Sequence, residues 1–425
     1  MRRLIPLAAL AGLLLTACAA GASQAPPTIT LGAIYPLSGP QAKGGREELA
    51  GVKAALEVAV ARRVAGADRI RLRVVDVETP DQASSAVDRL ADAHVPAIIG
   101  SYGSSLSVSA AARADARGVV FWETGAVADD VTNHRHWVFR TVATGSTLGR
   151  TAARFTVSVL LPAAGLPAPS TRVVILHTND FYGRSVAAGE SAEAAEAGIG
   201  TVTEIQYDPH GFDPQQVAQQ VGVARPDFLW DVSYLDDGVA VWRAVRAEGI
   251  RLRGAVGTSS AFCMPDFQRR LGDQATGVFA ADKPDEVVGA DALSPAGRRL
   301  LREAVDRYAA ANRGSEMGIP GVAGFVGGWA LFNEVMAHLG AGPVSAESIR
   351  ATAIRVDVPA GDAINGGGIL FSPVGNPDAG QNLRAAAVVG QWQVGGRMTV
   401  VYPKAYATGD VGPASFSGSA AAPSG

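Results

Sequence analysis

The sequence predicts an α/β protein with two lobes, each built on a doubly wound parallel sheet. Short strand-like runs alternate with helical runs along residues 28–122, and the same alternation restarts at residue 146. Strands that alternate with helices form parallel sheets, because each helix returns the chain to the same end of the sheet. A length of 425 residues with 48% hydrophobic residues is enough for two cores of this kind.

The first lobe begins with a strand, and predicted strands and helices then alternate along the chain. Runs of β-branched and apolar residues predict strands at 28–35, 70–77, 95–100 and 119–122. Apolar residues three or four apart predict helices at 47–65, 81–93 and 104–117. Thr79 suits the cap of the second helix and Pro80 suits its first turn.

The second lobe repeats this pattern, and the end of the chain departs from it. Strands are predicted at 172–177, 201–207, 228–232 and 254–257, and helices at 146–160, 183–197, from 213 onward, and at 237–248. After residue 279 the sequence predicts helices at 295–311, 322–339 and 345–353, then strands at 368–371, 383–394 and 397–402. Gly395 and Gly396 predict a tight hairpin between the last two strands.

Composition and motifs exclude several classes of function. A net charge of −3 and a pI of about 6.1 argue against nucleic-acid binding, which requires a basic face. Two cysteines rule out a disulfide scaffold and a cysteine-rich zinc site, and Cys263 is expected to be packed. The sequence has no phosphate-binding loop, dinucleotide motif or nucleophile elbow, and His134 and His136 fit loop residues better than metal ligands. We therefore expect no catalysis, no cofactor and no metal.

The N-terminus has the pattern of a signal peptide. Two arginines precede an apolar run at 4–15, which is too short to span a membrane. The next residues, Leu-Thr-Ala-Cys at 15–18, resemble the lipobox of bacterial lipoproteins. This resemblance implies that residues 1–17 are removed and that Cys18 is lipidated. The alternative is an ordinary signal peptide cut nearby, with Cys18 incidental.

Two low-complexity stretches flank the predicted lobes. Residues 18–27 contain small residues and prolines, and they predict a flexible tether. Residues 405–425 are rich in Ser, Ala, Gly and Pro, and they are predicted to be disordered. A lipid on Cys18 would hold the protein outside the cytoplasmic membrane.

The carboxyl ends of the predicted strands carry the candidate ligand-binding residues. In open α/β sheets, ligands bind at this edge of the sheet. Most residues there are small, hydroxyl-bearing or aromatic: Ser38, Tyr102, Ser104, Ser105, Gly125, Ala126, Val127, Tyr182, Asp231, Tyr234 and Ser259. We expect them to bind a small-molecule solute.

The segment at 101–105 is the strongest candidate among these. It leaves a buried strand and opens a helix, where free backbone N–H groups and the helix dipole attract an anion. A serine hydroxyl there adds a charge-assisted hydrogen bond of about 1.5–3 kcal/mol. The alternative for Ser104 is that it only caps the helix. Tyr182 and Tyr234 either cover the ligand from the second lobe or are packed surface aromatics.

Several segments, taken in order, resemble one protein family. They are ITLGAIYPLSGP at 29–40, GVKAALEVA at 51–59, IIGSYGSSLSVSAA at 98–111, HWVFRT at 136–141, VVILHTNDFYGRS at 173–185, ATGVFAADKP at 275–284 and the closing strands at 367–403. The ordered set is similar to the type I periplasmic solute-binding proteins of ABC importers, in their Leu/Ile/Val-binding branch. The similarity extends over about residues 28–404.

The resemblance implies two lobes joined by three crossovers, with a solute trapped between them by hinge closure. It places residues 28–140 and 276–345 in lobe 1. It places residues 141–275 and 346–404 in lobe 2.

Roles for individual residues follow from the same resemblance. Ser104 matches the serine that binds the carboxylate of the ligand, and Ser105 lies beside it. Residues 125–127 match a loop that supplies backbone groups and a hydroxyl. Tyr182 and Tyr234 match two tyrosines that pack on the ligand.

Two residues depart from the family pattern. Val127 stands where amino-acid binders have a threonine, and Ser259 stands where they have an ammonium-binding glutamate. A buried ammonium without a carboxylate partner is costly. Asp231 and Asp236 are the substitutes left open. The ligand is left open as well: it is an amino acid, or a related molecule that lacks the α-amine, such as an amide, a urea-like compound, an organic acid or an aromatic acid.

The sequence thus predicts an extracytoplasmic solute receptor. We expect a monomer, held to the membrane by its lipid, that delivers a small polar solute to the permease and ATPase subunits of an ABC importer. One alternative is a sensor that passes a ligand signal to a membrane partner without transport. Another is an enzyme on this scaffold, which the lack of a nucleophile and base set disfavours.

Overall fold

The computed structural model describes residues 27–340, 342–414 and 416. The predicted signal peptide, Cys18 and most of the predicted tether lie outside these residues. Within them the protein has two α/β lobes, each built on one main sheet, as predicted. No helix in the described part of the chain is long and apolar enough to cross a bilayer.

The first lobe contains a five-stranded parallel sheet. Its strands are β1 (Ile29–Tyr35), β2 (Ile70–Asp76), β3 (Ala97–Gly100), β4 (Val120–Glu123) and β5 (Val138–Arg140). The helices between them are α1 (Ala42–Ala61), α2 (Pro80–Asp92) and α3 (Ser104–Arg117). The strand order is β2-β1-β3-β4-β5, so the connections diverge between β1 and β3. A crevice at the carboxyl ends of these two strands is the usual ligand site of such a sheet.

The second lobe contains a seven-stranded sheet. Its first strands are β6 (Arg172–Thr178), β7 (Thr201–Tyr207), β8 (Phe228–Val232), β9 (Gly254–Thr258) and β10 (Phe279–Asp282). A separate strand pair follows, β11 (Asp357–Val358) and β12 (Ile369–Leu370), and the chain then returns as β13 (Val388–Gln393) and β14 (Arg397–Tyr402). The order is β14-β13-β10-β9-β8-β6-β7, in which β13 runs antiparallel to both of its neighbours. The predicted glycine hairpin joins β13 to β14.

Helices pack on both faces of each main sheet. Those of the second lobe are α4 (Gly145–Phe155), α5 (Leu161–Ala164), α6 (Phe181–Glu196), α7 (Pro214–Ala224), α8 (Leu235–Ala247), α9 (Ser259–Phe262) and α10 (Pro265–Leu271). Three later helices return to the first lobe: α11 (Pro295–Ala311), α12 (Ile319–Trp329) and α13 (Ala346–Ala353). The two helices predicted at 146–160 and 322–339 change to π-helix at Thr156–Leu160 and Ala330–Val335.

The predicted lobe boundaries are wrong at two places. Strand β10 pairs with β9 and β13, so it belongs to the sheet of lobe 2, although residues 276–345 were assigned to lobe 1. Residues 346–371 belong to lobe 1, because Ile349, Ile364 and Phe371 are buried in its core. The Phe371 ring meets Trp122 of β4 edge-on, with ring centroids 5.4 Å apart.

The chain passes between the lobes after β5, after β10 and between Phe371 and β13. The first and third crossovers are joined by backbone hydrogen bonds. Arg140 N–H donates to the Gly380 carbonyl over 2.9 Å, and Asn382 N–H donates to the Arg140 carbonyl over 2.9 Å. The Asn382 side chain also donates to the Thr141 carbonyl over 2.8 Å. The first and third crossovers are therefore hydrogen-bonded to each other at the hinge and do not cross it as separate segments.

The end of the chain packs on the second lobe. Phe416 is buried, pairs with Leu252 through two backbone hydrogen bonds, and meets the Trp242 ring edge-on at 5.1 Å. The Gln391 amide donates to the Pro413 carbonyl over 3.1 Å. The prediction of disorder for 405–425 is therefore wrong for residues 405–414 and 416. Composition could not predict this packing, because one aromatic ring and backbone groups make most of the contact between this segment and the second lobe.

We expect Phe416→Ala to lower the free energy of unfolding by about 3 kcal/mol, because it deletes a buried aromatic ring. Chemical denaturation followed by circular dichroism measures this change. Val394→Ala is the control, since Val394 is 89% exposed in the β13–β14 hairpin and its loss should cost under about 0.5 kcal/mol. Equal stability of both variants would contradict the packing of this segment.

Candidate functional site

The first lobe presents the start of α3 to the second lobe. Gly103 is the residue that precedes the helix, and Ser104 is its first helical residue, so Ser104 does not cap the helix. The buried Ser104 Oγ instead accepts a hydrogen bond of 3.2 Å from the Ala128 backbone N–H. It therefore ties the loop after β4 to the helix start, and the half-buried Ser105 lies next to it.

The loop after β4 is shaped by a buried carboxylate that the sequence analysis did not single out. Glu123 Oε1 accepts hydrogen bonds from Gly125 N–H (2.7 Å) and Ala126 N–H (2.6 Å). Burial raises the pKa of Glu123 to about 7. These two N–H groups are therefore committed to the protein itself. The position of Glu123 at the very end of a buried strand could have indicated from the sequence that this carboxylate lies near the site.

A second buried carboxylate lies under the same loop. Glu48 of α1 accepts a hydrogen bond of 2.5 Å from the Thr124 hydroxyl through Oε1, while Oε2 has no protein partner. Gly125 lies close to this carboxylate: a Cβ atom on it would lie 1.8 Å from Glu48 Oε2, so a larger residue would displace the Glu48 side chain. Burial and the nearby Glu123 raise the pKa of Glu48 well above its usual value. A glutamate on the apolar face of α1 was a signal that sequence reasoning could have used.

The second lobe presents a pair of tyrosines. The Tyr182 and Tyr234 rings lie 5.3 Å apart at an angle of 48°. The Tyr182 hydroxyl donates to the Thr258 carbonyl over 3.0 Å, and the Tyr234 hydroxyl donates to Asp180 Oδ2 over 2.5 Å. Tyr182 is buried together with Val127 of the first lobe. The two tyrosines thus form one aromatic wall at the boundary between the lobes.

Other contacts hold the two lobes against each other. Asp129 N–H of the first lobe donates to the Ser185 hydroxyl of α6 over 3.1 Å. Asp129 Oδ1 in turn accepts from Ser146 N–H at the start of α4, over 3.1 Å. Lys43 at the start of α1 pairs with Asp266 of α10. The carboxyl edges of the two sheets therefore face each other in a closed arrangement.

Tyr102 and Ser259 lie at this boundary as well. The Tyr102 ring packs on Gly44 of α1, where a Cβ atom would lie 2.1 Å from the ring. Burial raises the pKa of Tyr102, and the charges of Glu48 and Asp282 add to the effect. Ser259 is buried as the first residue of α9.

Ser38 and Asp231 lie apart from the aromatic wall. Ser38 donates to Asp76 Oδ2 over 2.5 Å at the edge strand β2. Asp231 is buried and accepts a hydrogen bond from Ser233, which also contacts Tyr207. Its neighbour Val232 packs with Tyr182, and successive side chains of a strand point to opposite faces. Asp231 therefore points to the face of the second sheet away from Tyr182.

Asp236, the other substitute considered for the missing glutamate, is 79% exposed and pairs with Arg270 on the surface. It therefore lies outside the boundary between the lobes.

Two charged residues of the boundary were missed by sequence reasoning. Asp282 ends β10, and Lys283 follows it into the second crossover, with Lys283 Nζ 3.1 Å from Asp282 Oδ1. Both are buried, with 4% and 7% of their surface exposed. Lys283 Nζ also donates to the Gly125 carbonyl of the first lobe over 3.3 Å. Their place at the carboxyl end of a strand could have marked them as candidate binding residues. The sequence had indicated only a crossover for this segment.

The described residues contain no group of three or more His, Cys, Asp and Glu side chains arranged to hold a metal ion. Cys263 is buried with a free thiol, as predicted for a packed cysteine. The polar groups described at the boundary are hydroxyls, carboxylates and the lysines Lys43 and Lys283, which suit hydrogen bonding to a small polar molecule.

Comparison with known proteins decides the family. The family model described as periplasmic binding protein matches residues 28–397. This chain belongs to the periplasmic binding protein family. Periplasmic binding proteins are solute receptors and not an enzyme family, and membership implies a place outside the cytoplasm.

Relatives in this family cover nearly the whole chain. A Leu/Ile/Val-binding protein homolog 8 of Brucella melitensis biotype 1 is 27% identical over 380 residues, which are 88% of this chain and 91% of the relative. A Leu/Ile/Val-binding protein homolog 7 of Brucella abortus (strain 2308) is 26% identical over 408 residues, which are 95% of this chain and 98% of the relative.

Solved structures show the same fold at lower identity. A leucine-binding protein LivK of Thermotoga maritima MSB8 has a TM-score of 0.73 at 19% identity, over 88% of this chain and 98% of that one. A solute-binding protein of R. palustris in complex with benzoate has a TM-score of 0.70 at 16% identity, over 91% and 99% of the two chains. The two-lobed periplasmic binding protein fold is therefore established for this chain.

We expect Asp231→Asn to change how stability depends on pH. Burial raises the pKa of Asp231 to about 8, so the folded state holds this proton more tightly than the unfolded chain. The contribution of Asp231 to the free energy of unfolding of the natural protein is fully present below pH about 4. It is lost as the pH rises towards 8. The asparagine side chain does not titrate, so the variant does not lose this contribution. Its free energy of unfolding should therefore rise relative to that of the natural protein by up to about 1.4 kcal/mol per pH unit in that range.

Urea denaturation at pH 5 and pH 8 measures the two free energies of unfolding. Asp236→Asn is the control, because this exposed carboxylate should leave the pH profile parallel to that of the natural protein. A constant difference between Asp231→Asn and the natural protein at both pH values would contradict the expectation.

Proposed function

We propose that this periplasmic binding protein is the solute receptor of an ABC importer. It captures a small polar solute, an amino acid, an amide or a related carboxylate, between its lobes by hinge closure. It acts as a monomer, is held to the outer face of the membrane through a lipid on Cys18, and delivers the solute to permease and ATPase subunits.

The observation that carries this proposal is the loop after β4, which joins the start of α3 to the tyrosine wall: Ala128 binds Ser104, and Val127 packs with Tyr182. Backbone N–H groups and the positive end of the helix dipole favour an anion at this place. The Ser104 hydroxyl accepts a hydrogen bond from Ala128 and keeps its own proton to donate to a solute carboxylate. Tyr182 and Tyr234 supply aromatic surface for the apolar part of the solute.

The related proteins support a carboxylate. The Brucella relatives are named as Leu/Ile/Val-binding protein homologs, and the R. palustris structure holds benzoate. Branched-chain amino acids and benzoate share a carboxylate on an apolar body. A helix start opposite an aromatic wall complements that chemistry.

The contacts between the lobes support capture by closure. Asp129 binds both Ser185 and Ser146 across the boundary, and Lys43 pairs with Asp266. These are a few polar contacts at partly exposed sites, each worth about 1 kcal/mol or less. A solute that touches both lobes can therefore shift the balance between open and closed forms.

The experiment for this proposal is a binding panel of amino acids, amides, ureas and aromatic acids. A solute that binds only the folded state should raise the free energy of unfolding by about 2.7 kcal/mol at a hundredfold excess over its dissociation constant. Ser104→Ala should then weaken binding of that solute by roughly tenfold to a hundredfold, since one charge-assisted hydrogen bond is lost. Thermal shift and titration calorimetry give the two quantities.

Ser109→Ala is the matched control on the same helix, because Ser109 bonds to the Pro80 carbonyl away from the boundary. It should bind the solute as the natural protein does. A dissociation constant that Ser104→Ala leaves unchanged would remove the carboxylate role of this serine. Turnover of the bound solute would instead favour an enzyme.

The membrane anchor is tested separately by Cys18→Ser. Loss of the thiol prevents attachment of the lipid, so the variant should move from the membrane fraction to the soluble fraction of cells that export it. The control is Cys263→Ser, which leaves the N-terminus intact. Equal membrane association of both variants would overturn lipidation at Cys18.

A further inference from the structure

We infer that the first lobe carries a second binding site, apart from the boundary between the lobes, for a small organic ammonium ion with an apolar body. The site is a cavity of about 240 Å³ between α11, α12 and the segment at 357–369. None of its described lining residues belongs to the second lobe or to the proposed solute site. The inference therefore does not rest on the proposed function.

The inner wall of the cavity is apolar. Leu300 of α11, Phe325 of α12 and Ile364 line it, and each is 5% exposed or less. An apolar cavity of about 150 Å³ in a protein interior can hold a molecule of the size of benzene. This cavity is therefore large enough for a six-membered ring.

The outer wall carries more negative than positive charge. Three carboxylates and one guanidinium line the cavity, those of Glu334, Asp357, Asp362 and Arg62. The guanidinium of Arg62 binds both carboxylate oxygens of Glu303, over 2.7 and 2.9 Å, and Arg384 pairs with Asp357. These two ion pairs leave the charges of Glu334 and Asp362 unbalanced.

The partners of these two carboxylates are neutral. The Ser294 hydroxyl donates to Asp362 Oδ1 over 2.5 Å, and the Asn333 amide donates to Glu334 Oε1 over 2.5 Å. Within the described part of the chain, neither carboxylate takes part in an ion pair. A bound cation would supply the opposite charge that both lack, and its hydrocarbon part would fill the apolar inner wall.

A rare helical form lies in the wall of the cavity. Helix α12 passes at Ala330 into the π-helix Ala330–Val335, and Ala330 and Glu334 of this turn both line the cavity. Single π-helical turns are frequent at functional sites. The turn thus supplies one of the two unbalanced carboxylates.

Aromatic surface adds to the attraction for a cation. Trp329 lines the cavity, and its ring is stacked on Phe325 with centroids 6.2 Å apart and an angle of 9°. The Arg62 guanidinium lies 5.3 Å from the centroid of the Trp329 ring. Aromatic rings attract ammonium groups as they attract guanidinium groups, through the negative charge of the ring face.

The cavity is already formed without a ligand. Ser294 N–H donates to the Gly361 carbonyl over 3.0 Å, and Gly361 N–H donates to the Gly366 carbonyl over 2.9 Å. Gly297 of α11 lies so close to this segment that a Cβ atom on it would be 2.1 Å from the Gly361 oxygen. The segment at 357–369 is thus held against α11, and binding requires little ordering of the chain.

The test uses three probes that share one ring and differ in charge: cyclohexylammonium, cyclohexanol and cyclohexanecarboxylate. Ligand-observed NMR titration of the purified protein at pH 7 gives their dissociation constants. Cyclohexylammonium should bind at least tenfold more tightly than either of the other two, because only it complements the unbalanced carboxylates.

The double variant Glu334→Gln/Asp362→Asn keeps the shape of the cavity and removes its excess negative charge. It should bind cyclohexylammonium at least tenfold more weakly, while the dissociation constant of cyclohexanol changes less than threefold. The matched control is Asp306→Asn/Glu347→Gln, because it removes two exposed carboxylates of the same lobe that do not line the cavity. This control should bind cyclohexylammonium within threefold of the natural protein.

A second variant fills the cavity instead of changing its charge. Ala363 lines the cavity and is 7% exposed, so Ala363→Phe should abolish binding of cyclohexylammonium and of cyclohexanol alike. If this variant does not fold, the charge variant still decides.

Two results overturn the inference, whatever binds between the lobes. One is a natural protein that binds cyclohexylammonium no more tightly than cyclohexanol, or does not bind it. The other is a charge variant that binds cyclohexylammonium within threefold of the natural protein, which would place the ion outside this cavity.

Discussion

The two lobes depend on one buried guanidinium at the place where they join. Arg140 ends the last strand of the first sheet, and its side chain bonds to the Ala128 carbonyl, to Thr132 and to Gln381 of the returning crossover. Burial lowers the pKa of Arg140 to about 10, so it stays charged at neutral pH and holds these oxygens in place. One side chain thus fixes both the hinge and the loop that meets the second lobe.

Most of the fold could be predicted because its signals are local. Strands at Thr201–Tyr207 and Phe228–Val232, and the helix that starts after Ser294, have the predicted bounds. The errors arise where long-range packing decides. Residues 346–371 have no local feature that favours one lobe, and long-range packing, such as that of Ile349 and Phe371 in the first core, places them in the first.

The residues chosen as candidates from the sequence differ from the charged groups that the structure places at the boundary between the lobes. Helix starts and strand ends indicated Ser104, Tyr182 and Tyr234 as candidates, because hydrogen-bonding groups left free at such ends are a general property of the fold. The buried carboxylates and Lys283 escaped prediction, since burial of a charged side chain depends on partners that are distant in sequence. The pairing of Lys283 with Gly125, for example, joins residues from opposite lobes.

The threading of the chain through both lobes has a consequence for biogenesis. The core of the first lobe lacks Phe371, and the core of the second lacks Phe416, until these late residues have been synthesised. Contacts between residues so far apart form slowly, because long loops must close before any burial is gained. A chain of this design therefore completes both cores late, because each core includes residues from both early and late parts of the sequence.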